Sequence, residues 1–129
     1  MSLSVLIVDD HDGFRSRAKR ALELDGFEVV AEAGDIASGL QACAESQPDL
    51  VLLDVHLPDG SGLDVAEQFV AGPGDTCVVL ISTYDEVDMA HAGDQPGVAG
   101  FLPKGDLSGA ALNELLAAYA CQLLRRPQG

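Results

Sequence analysis

The stretch Leu3-Ser4-Val5-Leu6-Ile7-Val8-Asp9-Asp10 decides the fold, because an apolar run of strand length ends directly in two acids. A second such run, Asp49–Leu53, ends in Asp54. Short continuous runs of Val, Ile and Leu are typical of strands buried on both faces, as in a parallel sheet. Ligands of open parallel sheets bind beyond the carboxyl ends of the strands. If these two strands are neighbours, three carboxylates converge there and need a hard divalent cation, with Mg²⁺ the best match.

Strand-like and helix-like patterns alternate from one end of the chain to the other. The predicted strands are 3–9, 27–33, 49–54, 76–82 and 100–104, and the predicted helices are 11–24, 35–46, 61–71, 85–92 and 107–125. Alternating acids in the second strand indicate an edge position with one wetter face. Five successive β/α units with short loops predict one doubly wound α/β domain, a five-stranded parallel sheet with helices on both faces. We expect this domain to span residues 1–125, with 126–129 as a short tail.

The charge of the chain disfavours several classes of partner. Net charge is −14, with 21 acidic and 7 basic residues among 129, so we expect no direct nucleic-acid binding by this chain, since phosphate contacts need Lys and Arg. No apolar run approaches the roughly 18 residues of a membrane span. Three widely spaced cysteines favour a cytoplasmic protein without disulfides or a zinc site. Four basic residues predict either a solvated helix face or a docking patch for an acidic partner: Arg15, Arg17, Lys19 and Arg20.

Nucleotide-binding glycine motifs are absent from the sequence. The first βα turn carries Asp9–Gly13 instead of G-x-G-x-x-G, and G-x-x-x-x-G-K-[ST] does not occur. Gly60-Ser61-Gly62 predicts only a turn followed by a helix N-cap. We therefore expect no organic cofactor.

The remaining strand ends complete a set of polar groups. Ser82 ends the fourth predicted strand and Lys104 ends the fifth. Four strand ends therefore carry, in chain order, an acid pair, a single acid, a hydroxyl and a lysine. This combination fits phosphoryl transfer to a carboxylate. A metal held by Asp10 and Asp54 would neutralise the phosphoryl charge, Asp54 would attack as the nucleophile, and Lys104 and Ser82 would hold phosphoryl oxygens.

Four motifs in order make the chain similar to the receiver domain of bacterial two-component response regulators. They are Leu6–His11, Leu52–Gly62, Leu80–Ser82 and Gly100–Lys104, and the resemblance extends over residues 3–124. It implies a flavodoxin-like (βα)5 fold with strand order 2-1-3-4-5. The motifs resemble most the branch that usually carries a helix-turn-helix output domain after the receiver. The resemblance also implies a histidine kinase or phosphotransfer protein as partner, docking at the first helix and its basic residues.

The resemblance implies a role for each residue of the acidic cluster. Asp54 is the expected phosphoacceptor, and Lys104 is the expected partner of the phosphoryl oxygens. Asp9, Asp10 and Asp54 are the expected Mg²⁺ ligands, with Asp10 the more direct ligand of the pair. The backbone carbonyl of His56 would complete the protein's share of the metal shell.

The same resemblance implies a switch and a means of tuning it. Ser82 would move toward the phosphoryl group, and the ring of Phe101 would turn inward with it. His56 and Tyr84, two residues past Asp54 and Ser82, would flank the phosphoryl group and tune its lifetime. Phosphorylation would then change affinity for a partner, or for a second copy through the last two helices and the fifth strand.

Two alternatives from other classes stay open. One is a protein-interaction module that no longer depends on phosphorylation. The other, less favoured, is a Mg²⁺-dependent phosphatase with an aspartyl-phosphate intermediate, because such enzymes place a second acid where this chain has His56. His11 and His91 are expected to be exposed helix residues without a role.

Overall fold

The computed structural model describes residues 3–70, 76–83 and 97–125, with side-chain surroundings as far as residue 118. The strands are β1 (Ser4–Val8), β2 (Glu28–Ala33), β3 (Leu50–Asp54), β4 (His56–Leu57), β5 (Gly60–Ser61), β6 (Cys77–Ser82) and β7 (Val98–Pro103). The helices are α1 (Asp12–Leu24), α2 (Ile36–Ser46), α3 (Gly62–Val70) and α4 (Gly109–Arg125), and a short 3₁₀ turn spans Lys104–Asp106. None of the helices in these ranges is both long and apolar enough to cross a membrane.

Five of the strands form one parallel sheet in the order β2-β1-β3-β6-β7. When only these long strands are numbered, this is the predicted order 2-1-3-4-5, so the predicted fold is confirmed. Strand β2 lies at an edge, and its residues alternate between exposed and more buried positions, as its alternating acids indicated.

Strand β3 runs through the centre of the sheet and separates two apolar cores. Its residues Leu50, Val51, Leu52 and Leu53 are at most 1% exposed. Leu50 and Leu52 belong to the core under α1 and α4, whereas Val51 and Leu53 belong to the core under α2 and α3. Full burial of one such side chain stabilises the fold by about 1.5–3 kcal/mol, so this strand holds its terminal acid firmly in place.

The last strand differs from its prediction at its start. It begins at Val98 rather than residue 100, because Val98 pairs with Val78 before a register shift. The next pair joins Val79 to Gly100, which leaves Ala99 without an opposite residue, as in a β-bulge. Glycines on both sides hid this strand start from the sequence pattern.

Two further differences concern loops. The residues after β3 form a small antiparallel hairpin, β4–β5, which the sequence pattern did not predict. The last helix begins at Gly109 instead of residue 107, because the 3₁₀ turn and Ser108 come first, and Ser108 Oγ accepts a hydrogen bond from the Ala111 N–H at 3.0 Å. The predicted helix 85–92 lies outside the described residues.

The N-terminus of α2 is capped from two directions. Asp35, the N-cap residue, accepts a hydrogen bond from the Ser38 N–H at 2.8 Å. Asp59, in the turn of the β4–β5 hairpin, accepts from the N–H groups of Ile36 at 2.9 Å and Ala37 at 3.1 Å. The hairpin that follows Asp54 is therefore tied to the start of α2.

Candidate functional site

The sheet register places the acids of β1 and β3 side by side. Val8 pairs with Leu53 in the parallel ladder, so Asp9 and Asp54 are the next residues on neighbouring strands. Both lie at the carboxyl edge of the sheet, where ligands of open parallel sheets bind. The predicted convergence of these carboxylates is confirmed.

The same edge carries the polar ends of β6 and β7. Asp54 pairs with Ile81, so Ser82 lies one residue further along β6. Ser82 in turn pairs with Pro103, and Lys104 follows directly. The structure thus brings Asp54, Ser82 and Lys104 to one edge from three adjacent strands, although they are far apart in sequence.

Two of the carboxylates are buried, and a third is not. Asp9 is 0% exposed and Asp54 is 2% exposed, whereas the adjacent Asp10 is exposed. Ser82 is also fully buried. Buried carboxylates of like charge are unfavourable unless cations or hydrogen bonds compensate for them, so their neighbours decide the properties of the site.

The ammonium of Lys104 provides that compensation. Its Nζ lies 2.5 Å from Asp9 Oδ2 and 3.1 Å from Asp54 Oδ2, and the side chain is only 11% exposed. The same nitrogen lies 4.8 Å from the centre of the Phe14 ring, which is within cation–π distance. Lys104 is therefore held between two strand ends and one aromatic face of α1.

The contacts among Asp9, Asp54 and Lys104 shift the pKa values of two of these residues, Asp54 and Lys104. Burial raises the pKa of Asp54, and the Asp9 charge raises it further, while the His56 N–H and Lys104 oppose both effects. Burial alone would lower the pKa of Lys104, but its contacts with Asp9 and Asp54 outweigh burial and raise that pKa above its ordinary value. The lysine is thus held in its charged form.

Each buried acid also accepts a hydrogen bond from a histidine two residues later. The His11 N–H donates to Asp9 Oδ1 at 2.8 Å, and the His56 N–H donates to Asp54 Oδ1 at 3.0 Å. These Asx-type turns redirect the chain at the end of β1 and of β3. They fix one carboxylate oxygen of each acid.

The imidazole of His11 lies against the acid pair, which sequence reasoning missed. Its Nδ1 is 3.1 Å from Asp9 Oδ1 and 3.2 Å from Asp10 Oδ1, and 3.4 Å from Lys104 Nζ. The ring is exposed as predicted, at 63%, but it is not without partners. The signal available in the sequence was its position directly after Asp10, in the turn that leaves β1.

Arg15 is anchored rather than available for docking. Its guanidinium donates to the backbone oxygen of Asp9 and to the carboxylate of Asp12, and its Nε lies 3.3 Å from Glu32 Oε1. The predicted basic patch of four residues is therefore reduced to its three exposed members on α1, which are Arg17, Lys19 and Arg20.

A cavity of about 960 Å³ opens beside Lys104. Its walls come from the turn after β1, from α1 and from the segments that follow β6 and β7, and they include Asp10, Phe14, Arg17, Thr83 and Leu107. The cavity thus gives solvent access to Asp10 and Lys104.

Four residues could share one metal ion. Asp9, Asp10, His11 and Asp54 each offer a ligand atom, and these atoms all lie within 4.8 Å of one another. Asp9 Oδ2 is buried, and the Lys104 ammonium lies 2.5 Å from it. A cluster of carboxylate oxygens is the donor set that fits a hard divalent cation such as Mg²⁺.

The other predicted residues lie as follows. Phe101 is partly buried in β7 and packs against the core under α2 and α3. His56 is exposed in the turn directly after Asp54, and Tyr84 lies outside the described residues.

Comparison with known proteins places the chain in a family. Residues 5–117 match the family model described as the response regulator receiver domain. A putative transcriptional regulator of Pseudomonas aeruginosa is 36% identical over 114 residues, covering 88% of this chain and 53% of that protein. The probable transcriptional regulatory protein NarL of Mycobacterium tuberculosis is 41% identical over 101 residues, covering 78% and 47%. This chain therefore spans about half the length of these relatives.

Solved structures agree with this assignment. The signal receiver domain of the putative response regulator NarL from Mycobacterium tuberculosis aligns with a TM-score of 0.74 at 35% identity, covering 97% of this chain and 98% of that one. A LuxR family two-component response regulator from Aurantimonas sp. SI85-9A1 aligns with a TM-score of 0.78 at 25% identity, covering 93% and 86%. The relatives of this chain are named as transcriptional regulators, in agreement with the predicted branch. The chain belongs to the response regulator receiver domain family.

Proposed function

We propose that this receiver domain is a Mg²⁺-dependent phosphoacceptor switch, phosphorylated on Asp54 by a histidine kinase or phosphotransfer protein. The observation that carries the proposal is the setting of Asp54. Its carboxylate is 2% exposed at the edge of the sheet, beside Asp9 and 3.1 Å from the Lys104 ammonium. A carboxylate placed between an acid pair and a lysine is suited to accept a phosphoryl group.

The transfer step can be written with Asp54 as the nucleophile. A carboxylate oxygen of Asp54 forms a bond to phosphorus while the P–N bond of a phosphohistidine donor breaks, and the electron pair stays on the imidazole nitrogen. The product is an acyl phosphate on Asp54. The Lys104 ammonium and the Ser82 hydroxyl donate hydrogen bonds to the phosphoryl oxygens.

Asp9, Asp10 and Asp54 would hold the Mg²⁺ ion, together with the backbone carbonyl of His56. When bound, the ion would neutralise charge on the phosphoryl oxygens and on the three carboxylates. Oxygens of these three carboxylates lie within 4.8 Å of one another, which supports this assignment.

The output follows from Ser82 and Phe101. Ser82 lies at the end of β6, next to the β3 strand of Asp54, and Phe101 of β7 pairs with Leu80 of β6. A phosphoryl group on Asp54 would draw the Ser82 hydroxyl toward it and shift the Phe101 ring. We propose that this population shift alters β7 and the last helices, and with them partner or homodimer affinity. The names of the relatives support transcription control as the outcome.

The test is incubation with MgCl₂ and acetyl phosphate, followed by intact mass. We expect a single phosphoryl adduct that EDTA and Asp54→Asn both abolish. Asp59→Asn, which changes another acid of the same loop, is the matched control and should keep the adduct. An adduct that persists in Asp54→Asn would contradict Asp54 as the site of phosphorylation.

The two alternative functions predict other outcomes. No adduct with acetyl phosphate or with a kinase would favour an interaction module, and steady phosphate release from simple phosphate esters would favour a phosphatase.

His56 and Tyr84 would set the lifetime of the acyl phosphate by limiting the approach of water. His56 follows Asp54 by two residues, and its N–H already contacts the carboxylate at 3.0 Å. The measurement is the dephosphorylation rate of His56→Ala and Tyr84→Ala after removal of the donor. Unchanged rates in both variants would refute a tuning role.

A further inference from the structure

The guanidinium of Arg15, on α1, joins three segments of the chain. Its Nη1 donates to the backbone oxygen of Asp9 at the end of β1, its Nη2 contacts the carboxylate of Asp12 in the first turn of α1, and its Nε lies 3.3 Å from Glu32 Oε1 on β2. The Arg15 side chain is 17% exposed, whereas that of Asp12 is 89% exposed. The arginine therefore lies against the end of the sheet instead of extending into solvent.

The contact with Asp9 fixes a peptide group beside the cation site. The Asp9 N–H donates to the backbone oxygen of Ala33 at 2.9 Å, and the Asp9 oxygen accepts from Arg15. This oxygen belongs to the planar peptide group that joins Asp9 to Asp10, so its orientation sets the direction in which the Asp10 side chain leaves the backbone. Asp10 is exposed, so little packing restrains its carboxylate.

The three acceptors match the geometry of a guanidinium. Its N–H groups form a rigid planar fork with fixed directions, whereas the lysine ammonium is a point charge on a flexible stem. Nε, Nη1 and Nη2 each contact a different residue here. A lysine in place of Arg15 would keep the positive charge but would not hold β1, α1 and β2 at the same time.

We propose that Arg15 is a positioning residue of the cation site, which fixes the peptide group between Asp9 and Asp10 and thereby orients the Asp10 carboxylate toward Mg²⁺. This inference rests on the proposed function, in which Asp10 is a ligand of that ion. The atoms that Arg15 contacts are the Asp9 backbone oxygen and the carboxylates of Asp12 and Glu32, and none of these is a proposed ligand. Arg15 therefore acts on Mg²⁺ affinity and not on the transfer step itself.

Positioning and simple charge predict opposite effects of removing Arg15. A positive charge near a cation site repels the cation, so loss of that charge alone would raise Mg²⁺ affinity. Loss of an oriented ligand would lower Mg²⁺ affinity, because residues that hold metal ligands in place contribute about 10- to 100-fold to affinity. The direction of the change in Mg²⁺ affinity distinguishes the two roles.

The experiment measures Mg²⁺ affinity by isothermal titration calorimetry for the wild type, Arg15→Gln and Arg15→Lys. We expect the affinity to fall about tenfold in Arg15→Gln. It should fall by at least about threefold in Arg15→Lys, which keeps the charge without the fork and also serves as the test if Arg15→Gln does not fold. Arg20→Gln removes an exposed cation from the same helix, and this control should change Mg²⁺ affinity by less than about twofold because solvent and salt screen an exposed charge.

The rate of phosphorylation provides a second test of the same role. At low Mg²⁺ concentration, Arg15→Gln should form the Asp54 adduct with acetyl phosphate more slowly than the wild type. At saturating Mg²⁺ the two rates should agree within about twofold, since only interactions made in the transition state change the rate of the chemical step. A deficit of the same size at both concentrations would contradict a role in Mg²⁺ binding.

A third measurement is made without metal. The Asp10 amide belongs to the peptide group that Arg15 holds, so its ¹⁵N order parameter in Arg15→Gln should fall from that of rigid backbone, about 0.85, toward the flexible range below about 0.6. The amide of His56, which donates to Asp54 Oδ1 in the other turn, is the internal control and should keep its wild-type value. An unchanged Asp10 amide would contradict the positioning role.

The outcomes separate this inference from the proposed function. Unchanged or higher Mg²⁺ affinity in both Arg15 variants overturns the inference, while Mg²⁺ binding and an Asp54 adduct in the wild type leave the proposed function intact. A wild type that neither binds Mg²⁺ nor gains the adduct overturns both.

Discussion

The turns that follow β1 and β3 begin in the same way and then diverge. In each, a buried aspartate is followed two residues later by a histidine whose N–H donates to its Oδ1, at 2.8 Å after Asp9 and at 3.0 Å after Asp54. The first turn continues directly into α1. The second continues into the β4–β5 hairpin and only then into α3.

This difference in continuation decides what each turn contributes. The start of α1 brings the His11 ring back against Asp9 and Asp10 and brings Phe14 under Lys104. The hairpin instead leaves His56 exposed beside Asp54. One turn therefore collects charged groups around the buried Asp9, whereas the other leaves an exposed histidine beside the equally buried Asp54. The two turns share the same local hydrogen bond, so this bond alone does not determine what each turn contributes to the site.

The largest effect should come from removing the residue that joins the two turns. Lys104 contacts the acids of both, so Lys104→Met should slow phosphorylation of Asp54 by acetyl phosphate about 100-fold, as loss of a preorganised charge donor does elsewhere. The measurement is the initial rate of adduct formation at saturating Mg²⁺. Lys19→Met, an exposed lysine of α1, is the matched control. A rate within about threefold of wild type would show that the turns work independently of this lysine.

The turn after β3 can be broken through its packing. A Cβ on Gly62 would lie 2.3 Å from the backbone oxygen of Asp54, so Gly62→Ala should lower the free energy of unfolding by about 1–3 kcal/mol. Gly105→Ala, where a Cβ meets nothing within 4 Å, should change stability by less than about 0.5 kcal/mol. Urea denaturation of both variants measures the difference, and equal stabilities would contradict the close approach.

The contribution of α1 to the first turn should be smaller. Phe14→Leu removes the cation–π contact with Lys104 and should reduce stability by about 0.5–1 kcal/mol beyond the loss of apolar contact. A double-mutant cycle with Lys104→Met isolates this term. If the two single changes add to the double change within about 0.3 kcal/mol, Phe14 does not hold the lysine.

The smallest effect on stability should come from the charge of Asp54 itself. Lys104 and the His56 N–H offset part of the free-energy cost of burying this charge. Burial raises the pKa of this carboxyl, so its ionised form destabilises the metal-free fold above that pKa. Asp54→Asn should therefore unfold at a higher temperature than wild type at neutral pH. This difference in unfolding temperature should close as the pH falls through the raised pKa toward 3.8, since wild-type Asp54 then becomes neutral. If the difference in unfolding temperature between Asp54→Asn and the wild type widens on acidification, the ionised form of Asp54 does not destabilise the fold. Added Mg²⁺ should narrow the gap by stabilising only the wild type.

The sequence predicted the parts of the fold that depend on local patterns and chain order. The apolar run before Asp9 and that before Asp54 predicted two buried strands, and their register placed the two acids together. Lys104 was predicted from its place at the end of the fifth strand. Its position relative to Asp54 depends on β3 pairing with β6 and β6 with β7, a strand order that the family resemblance supplied and the residue pattern alone did not.

Other features depend on three-dimensional contacts that no local pattern reports. The His11 ring faces the acids because of backbone angles at the N-cap and because Lys104, 93 residues away, reaches the same point. Arg15 resembled its exposed basic neighbours in sequence, and only its contacts with Asp9 and Glu32 distinguish it. The bulge at Ala99 arises from a register shift against β6 and leaves no compositional signal.

The two edges of the sheet have different consequences for self-association. Along β2, the exposed residues are Glu28, Val30 and Glu32, so a second copy that added a strand here would bring acids against acids in a chain of net charge −14. Strand β7, Val98–Pro103, carries no charged residue. Fibre-like growth requires both edges to accept a strand, and the glutamates of β2 oppose it at one of them. Two copies that meet through β7 would therefore form a closed pair instead of a polymer.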